Sequence, residues 1–358
     1  MNGALGLAIL ALTGGAALVT SAVVVARALR LWLDRRRARL AAGPRRLLLG
    51  YLADGGPADQ LDELAAIRGP AWRAIEPAAT AMLGKVRGES RDALAAVFER
   101  RGIGTRALAD LHRSGTVRRA RAAEILGNLR QRDAVPALCA LLTARDPDLR
   151  LVAVRALGHI GDPAATGPLL GALATATHAP VHLVGYALVQ LDAGADQPLL
   201  AGLDHPEPQV RATVLDTLRL RGTAGAERRV ITVLQRDPAG EVRRRAAAVL
   251  GRVGTRAALE PLITAATGDP VPAVRADAAR ALGDLGSPAA VPALRGLVAG
   301  PGHPAAHEAA AARVRLGDRG LAALHEIVES GGTGAAHARE ALAVADLTRP
   351  PVTSGDSR

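Results

Sequence analysis

A pattern of about 32 residues recurs along most of the chain and restricts it to a repetitive fold. Most copies begin with an apolar residue and arginine and continue through an alanine-rich run to Leu-Gly. A second apolar stretch and, commonly, Asp-Pro then close the copy. Successive copies start 32, 32, 29, 32, 32, 32 and 30 residues apart. The starting positions are Val117, Leu149, Val181, Val210, Val242, Val274, Ala306 and Ala336. A repeat of this length predicts one supersecondary unit per copy, stacked on its neighbours.

The first half of each copy has the spacing of an amphipathic helix. When Val274 starts the helix, Ala278 and Leu282 fall on the same face at 3.6 residues per turn. Because many of these contact residues are alanine, adjacent helices can approach closely. One helix pair buries too little apolar surface to be stable alone, so stability must come from stacking.

Two copies, Val274–Leu294 and Leu149–Leu170, resemble the HEAT repeat, in particular the short type named after phycobilisome lyases. The resemblance implies an all-α fold, an α-solenoid of stacked HEAT-like helix pairs over residues 117–346. Residues 47–116 are less regular, which predicts a degenerate helical cap at the N-terminal end of the solenoid. Residues 347–358 are polar and contain prolines, so we expect a disordered tail. The fold implies no reaction, since the same scaffold carries binding modules and enzymes.

The N-terminal segment predicts a membrane anchor. Residues 1–26 contain no charged side chain and as a helix would exceed the roughly 30 Å hydrocarbon core of a bilayer. Trp32 follows at a position typical of a membrane interface, and residues 35–46 form a basic juxtamembrane segment. A cleaved signal peptide is disfavoured because the positive charge follows the apolar run. We therefore expect a single-pass membrane protein with a transmembrane helix in residues 1–34 and a cytoplasmic solenoid.

Arginines cluster directly after the apolar run. Residues 1–50 contain eight arginines and one aspartate, a net +7, and the other 308 residues carry only +4 of the total +11. The repeats therefore lack the basic surplus typical of nucleic-acid binding, which we consider unlikely. Binding of anionic lipid or of nucleic acid through this segment is kept as an alternative function. The expected lipid-contacting residues are Arg27, Arg30, Arg35, Arg36, Arg37 and Arg39.

The recurring arginines of the repeats favour a structural role. Each can pair with an aspartate in a turn between helices, which predicts an Asp–Arg ladder linking successive repeats; a row of ligand-binding arginines is the alternative. The arginines are Arg150, Arg211, Arg243 and Arg275, and the aspartates are Asp146, Asp204, Asp237 and Asp269.

The histidines do not form a convincing metal site in the sequence. His307-Glu308 resembles the His-Glu motif of deoxyhypusine hydroxylase, a HEAT-like enzyme with a di-iron centre. That family needs several such pairs, whereas neither His182 nor His337 is followed by glutamate. The scarcity of aromatic residues likewise disfavours a phycobilin lyase. We expect no catalytic residue, metal or cofactor, and keep a HEAT-like lyase or metal-dependent hydroxylase as an alternative function.

The helix that begins each copy is expected to line the concave face of the solenoid, with its third, fourth and seventh residues pointing away from the buried side. Two adjacent copies place apolar residues there and later copies place charges, an arrangement typical of a protein-binding surface. The alternative is that Leu151 and Leu183 pack against neighbouring repeats. We predict a membrane-tethered scaffold or adaptor that binds another protein. Its expected contact residues are Leu151, Val152, Arg155, Leu183, Val184, Arg244 and Arg245.

Overall fold

The computed structural model describes residues 2–174, 180–223, 225–300 and 302–348. Side chains are described from residue 22 onward, except those of residues 303 and 348 within these ranges. Every regular element of this part of the chain is an α-helix or a short 3-10 turn, which confirms the predicted all-α class. The helices divide into two units, Met1–Arg113 and Ser114–Arg358. Most of the predicted disordered tail lies outside the described residues.

The first unit consists of five helices. They are α1 (Asn2–Ala53), α2 (Ala58–Ala66), α3 (Pro70–Leu83), α4 (Glu89–Arg100) and α5 (Ile103–Leu111). The C-terminal end of α1 packs against α2, α3 and α4 and buries Leu48 and Tyr51. Trp72 and Phe98 meet edge to face with ring centroids 6.1 Å apart, and the guanidinium of Arg101 lies 3.8 Å above the Trp72 ring. Large aromatic side chains thus contribute to the core of this unit, which the repeat does not build.

The predicted membrane anchor is not supported. Among the residues described here, no helix is long and apolar enough to cross a lipid bilayer. The side chains of residues 1–21 lie outside the described residues; in the rest of the predicted span, Arg27, Arg30 and Asp34 interrupt the apolar run. The structure therefore contradicts the predicted single-pass topology and removes the basis for a cytoplasmic placement.

The second unit is an α-solenoid with two layers of helices. Even-numbered helices form the first layer, in which each one contacts the next in sequence. The first layer consists of α6 (Thr116–Leu129), α8 (Pro147–Ile160), α10 (Val181–Gln190), α12 (Pro208–Arg221), α14 (Gly240–Val253), α16 (Pro272–Leu285), α18 (His303–Arg315) and α20 (Ala335–Thr348). The second layer consists of α7 (Val135–Leu141), α9 (Thr166–Ala174), α11 (Asp196–Ala201), α13 (Glu227–Arg236), α15 (Leu259–Gly268), α17 (Val291–Val298) and α19 (Asp318–Ser330).

The first-layer helices carry start and stop signals. Proline occupies the first turn of α8, α12, α16 and α18, where its fixed φ suits a helix start and its missing N–H is not needed. At the start of α8, the Asp146 carboxylate also accepts a hydrogen bond of 2.9 Å from the backbone N–H of Asp148. Gly161 and Gly222 end α8 and α12 in the left-handed conformation. The helix bounds therefore follow from local sequence.

Glycine lets neighbouring first-layer helices touch. A Cβ added to the glycine of four Leu-Gly pairs would lie between 2.6 and 2.9 Å from the Cα of an alanine on the next helix, closer than real Cβ atoms come. The glycine and alanine partners are Gly127 with Ala156, Gly158 with Ala187, Gly251 with Ala281, and Gly283 with Ala312. The Leu-Gly signal of the sequence is thus a packing requirement of the solenoid.

These contacts also correct the predicted register of three repeats. The first begins at Arg118, one residue after the predicted Val117, because Gly127 is equivalent to Gly158, the tenth residue counted from Leu149. Ala156 is the eighth residue counted from Leu149, so the equivalent Ala187 places the first position of its repeat at Pro180, one residue before the predicted Val181. Val181 is accordingly 41% exposed, whereas Leu149 is 2% exposed. Ala312 shifts the repeat of α18 in the same way, from Ala306 to Ala305. The sequence alone does not fix this phase, because apolar residues adjoin both possible starting positions.

Candidate functional site

The shift in register changes which residues of α10 lie on the exposed side of the first layer. Val184, a predicted contact residue, is 0% exposed and belongs to the core. The prediction that Val184 contacts a partner is therefore wrong. The third, fourth and seventh residues of the repeat are instead His182, Leu183 and Tyr186. Tyr186 is 64% exposed and was not singled out from the sequence. An aromatic residue on the exposed side of a helix was the signal that could have identified it.

The other predicted contact residues are accessible to different degrees. Leu151, Val152 and Leu183 are half-buried, and Arg155 is exposed. Their role as contacts for a partner stays a prediction. Arg244 and Arg245 are also half-buried, and both line a groove along the first layer.

This groove, here called the Arg groove, runs along α12, α14 and α16 and has a volume of about 640 Å³. Five arginines and three aspartates supply its charge: Arg219, Arg244, Arg245, Arg252, Arg280, Asp216, Asp277 and Asp284. A second depression of about 440 Å³ shares Arg244, Asp277 and Arg280 with it and reaches His307 and Glu308 on α18. Arg244 and Arg280, at the third and seventh positions of their repeats, line this surface, whereas Ala212 and Thr213 at the third and fourth positions of α12 are buried.

Ion pairs connect the helices under the groove in series. Arg245 Nε lies 2.9 Å from Asp216 on α12, and Arg244 Nη1 lies 3.3 Å from Asp277 on α16. Arg280 Nη2 lies 2.6 Å from Glu308 on α18. This hydrogen bond from Arg280 lowers the pKa of Glu308, against the smaller opposing effect of burial. These three arginines are therefore already neutralised by the chain itself.

Two arginines of the groove differ from the others. Arg219 and Arg252 form no hydrogen bond or ion pair with any described residue, although both line the groove. Arg219 occupies the tenth position of its repeat, where four other repeats have the closely packed glycine. An uncompensated guanidinium on a concave surface offers bidentate hydrogen bonds to a carboxylate or phosphate.

The predicted Asp–Arg ladder forms at two places, where each arginine pairs with the aspartate in the turn that closes its own repeat. Arg211 contacts Asp237 through Nε and Nη2 at 2.6 and 2.8 Å, and Arg243 contacts Asp269 at 2.7 and 2.9 Å. The pairs are buried, with 5 to 11% of each side chain exposed. Arg211 and Arg243 also donate Nη1 to carbonyls of the turn that closes the preceding repeat, so each joins two successive repeats.

The other predicted members of the ladder differ. Arg150 and Arg275 donate only to backbone carbonyls of the preceding turn in the described contacts. Asp204 pairs with Arg229 of α13, and Asp146 caps α8. The ladder arginines are occupied by protein partners and do not form a ligand-binding row.

The two residues of the His-Glu dipeptide face different neighbours. Glu308 pairs back to Arg280 on α16, whereas His307 Nδ1 lies 3.4 Å from Glu340 Oε2 on α20. His337 joins the second contact: one ligand atom each of His307, His337 and Glu340 lies within 4.8 Å of the others. The sequence placed no metal ligand here because this grouping depends on two residues of a neighbouring helix.

The remaining predicted residues lie on α1 in the first unit. The six arginines expected to contact lipid are exposed. Arg37 lies 3.8 Å from Asp34, and the Arg36 guanidinium lies 5.5 Å from the centre of the Trp32 ring. Contact with lipid or nucleic acid by this segment stays a prediction.

The only cysteine of the sequence, Cys139, lies on α7. Burial and the nearby Asp162 raise the pKa of the Cys139 thiol to about 11, so this thiol is protonated and weakly nucleophilic at neutral pH.

The sequence profile of HEAT repeats matches residues 105–188 and 227–313. These two segments are therefore similar to HEAT repeats. This match supports the resemblance that the repeat pattern implies, and the stacked helix pairs of the second unit are HEAT-like. No curated protein matches the chain in sequence.

Several solved structures are similar to the chain at low sequence identity. A Kap121p mutant has a TM-score of 0.48 at 13% identity over 80% of this chain and 39% of its own, so the present chain spans about two fifths of that protein. Human deoxyhypusine hydroxylase in complex with glycerol has a TM-score of 0.32 at 19% identity, over 75% of this chain and 98% of its own. The complex of CpcE and CpcF of phycocyanin lyase from Nostoc has a TM-score of 0.24 at 21% identity, over 75% and 92%.

Proposed function

We propose that this HEAT-repeat scaffold binds a partner protein through an acidic segment that lies in the Arg groove. The observation that carries the proposal is the presence of Arg219 and Arg252 in the groove without an acidic partner among the described residues. Desolvating these charges is favourable only if a ligand supplies anionic groups, because an unpaired buried charge is costly. The ion-paired arginines beside them hold the groove walls in place. No reaction is assigned to the chain.

The probe for this proposal is a fluorescein-labelled oligo-glutamate peptide, with an oligo-lysine peptide for comparison. Fluorescence anisotropy of the full chain should show binding of the acidic peptide that weakens with salt. The double variant Arg219→Glu/Arg252→Glu should bind at least about tenfold more weakly, since the loss of about 1.4 kcal/mol of attraction already has this effect. Helix content by circular dichroism should be unchanged, because neither arginine has a described partner in the folded chain.

A matched control separates the groove from net charge. Arg228→Glu/Arg256→Glu makes the same charge change at exposed residues of α13 and the turn before α15. Equal loss of binding in both double variants would contradict the proposal. Tighter binding of the oligo-lysine peptide than of the oligo-glutamate peptide by the wild-type chain would also contradict it. The titrations are repeated with the exposed arginines of α1 replaced by glutamine at four positions. These are Arg35, Arg36, Arg37 and Arg39. Binding that disappears only in this background would support the alternative site on α1.

A further inference from the structure

The cluster of His307, His337 and Glu340 joins the last two first-layer helices and has no role in the proposed peptide groove. His307 lies on α18, and His337 and Glu340 lie three residues apart on one face of α20. We propose that these three side chains bind one divalent transition metal ion of the Zn²⁺ type. The residues match the preference of such ions for imidazole nitrogen and carboxylate oxygen.

The atoms already have nearly the separation that a metal requires. Zn²⁺ binds histidine nitrogen and carboxylate oxygen at about 2.0–2.2 Å, so two ligands of a tetrahedral ion are about 3.4 Å apart. His307 Nδ1 and Glu340 Oε2 are 3.4 Å apart. The whole set lies within 4.8 Å, and the missing distance is within reach of side-chain rotation. Helical backbone on both sides fixes the Cα positions, so binding requires no rearrangement of the fold.

The imidazoles are arranged so that both can approach one ion. Their ring centroids are 6.4 Å apart and the ring planes cross at 81°, so the rings do not stack against each other. In the form without metal, Nδ1 of His307 lies 3.4 Å from Oε2 of Glu340. The exchange of this contact for a shared cation would satisfy the carboxylate and both rings together.

The residues around the cluster favour the binding of one metal ion. Glu308, next to His307 in sequence, is held by Arg280 at 2.6 Å and points to α16, away from the cluster. A second carboxylate is therefore withheld from the site, which favours a single ion. The side chains of His307 and Glu340 are 48% and 56% exposed, so an ion can enter from solvent. Three protein ligands leave a coordination position open to water or to a group of a bound molecule.

The test is a titration of the full, chelator-treated chain with ZnCl₂ by isothermal calorimetry. We expect one equivalent to bind, and the variants His307→Ala, His337→Ala and Glu340→Ala each to bind more than about tenfold more weakly, since even groups that only support a ligand contribute 10–100-fold. The matched control is His325→Ala, which removes an exposed histidine of α19 in the same part of the solenoid and should leave affinity unchanged.

A second measurement reports where the ion lies. Hydrogen exchange of α20 should slow on addition of Zn²⁺ in the wild-type chain and in His325→Ala, but not in His307→Ala, because the ion would tie α20 to α18. The ligand type is checked with Co²⁺, whose visible absorption should indicate nitrogen and oxygen ligands. Absence of stoichiometric binding, or binding that is equal in His307→Ala and His325→Ala, overturns the proposal. Either result leaves the peptide groove unaffected, since Arg219 and Arg252 take no part in the cluster.

Discussion

Arg313 is the residue whose replacement tests the packing argument most directly. It is 0% exposed, and none of its three guanidinium nitrogens has a hydrogen-bond partner in the described part of the chain. Burial lowers the pKa of Arg313, and the neighbouring Arg295 acts in the same direction. Glu326 opposes this shift, but its carboxylate is paired with Arg295 at 3.1 Å.

The repeat shows what belongs at this position. Arg313 follows the closely packed Ala312, and the equivalent position of six of the other seven repeats holds a leucine with 0% exposure. These leucines are Leu126, Leu157, Leu188, Leu218, Leu250 and Leu282. We therefore expect Arg313→Met to increase the free energy of unfolding by about 1–4 kcal/mol, the range found when buried charges are replaced by apolar residues of similar volume. Methionine is chosen because its unbranched side chain can follow the path of the arginine.

Thermal and urea unfolding of the full chain measure the effect. At about 2–4 °C per kcal/mol for a unit of this size, the midpoint should rise by at least about 2 °C. Arg313→Lys retains the charge and should give no increase. Arg315→Met removes a partly exposed arginine that lies 3.1 Å from Asp284 and should change stability by no more than about 1 kcal/mol. A lower midpoint for Arg313→Met than for the wild type would refute the reasoning.

Three further predictions follow from the described contacts. Asp269→Asn should lower the free energy of unfolding by about 3–5 kcal/mol in urea titrations, because it leaves the buried Arg243 without its anion. Gly251→Ala should destabilise by about 1–3 kcal/mol because the added methyl clashes with the next helix, whereas Gly296→Ala on α17, where the Cβ meets open space, should be neutral or stabilising. Burial lowers the pKa of His159, with nearby arginines acting in the same direction, so the folded chain favours the neutral ring. Stability should therefore be lost as pH falls from about 6.5 through the folded pKa, and His159→Gln should lose this part of the pH dependence in unfolding curves.

The sequence alone determined the helical repeat of this protein. Helix periodicity, proline at helix starts and Leu-Gly at the contact face are local signals, and a pattern repeated every 32 residues can bury its apolar faces only by stacking. The ladder pairs Arg211–Asp237 and Arg243–Asp269 could be predicted from the sequence for the same reason, because the two pairs occupy equivalent positions of successive repeats. The predicted anchor was inferred from the uncharged run of residues 1–26 and the arginines after it, whereas no described helix is long and apolar enough to cross a membrane.

Only the tertiary structure decided the register and the sites. Contacts between glycine and alanine on neighbouring helices place Val184 in the core and Tyr186 on the surface, a difference of one residue that apolar composition does not resolve. The surplus of arginine in the groove depends on which acids the other arginines already hold. The grouping of His307 with His337 and Glu340 depends on which face of α20 packs against α18. Each of these features arises between helices, where distance along the chain no longer indicates distance in space.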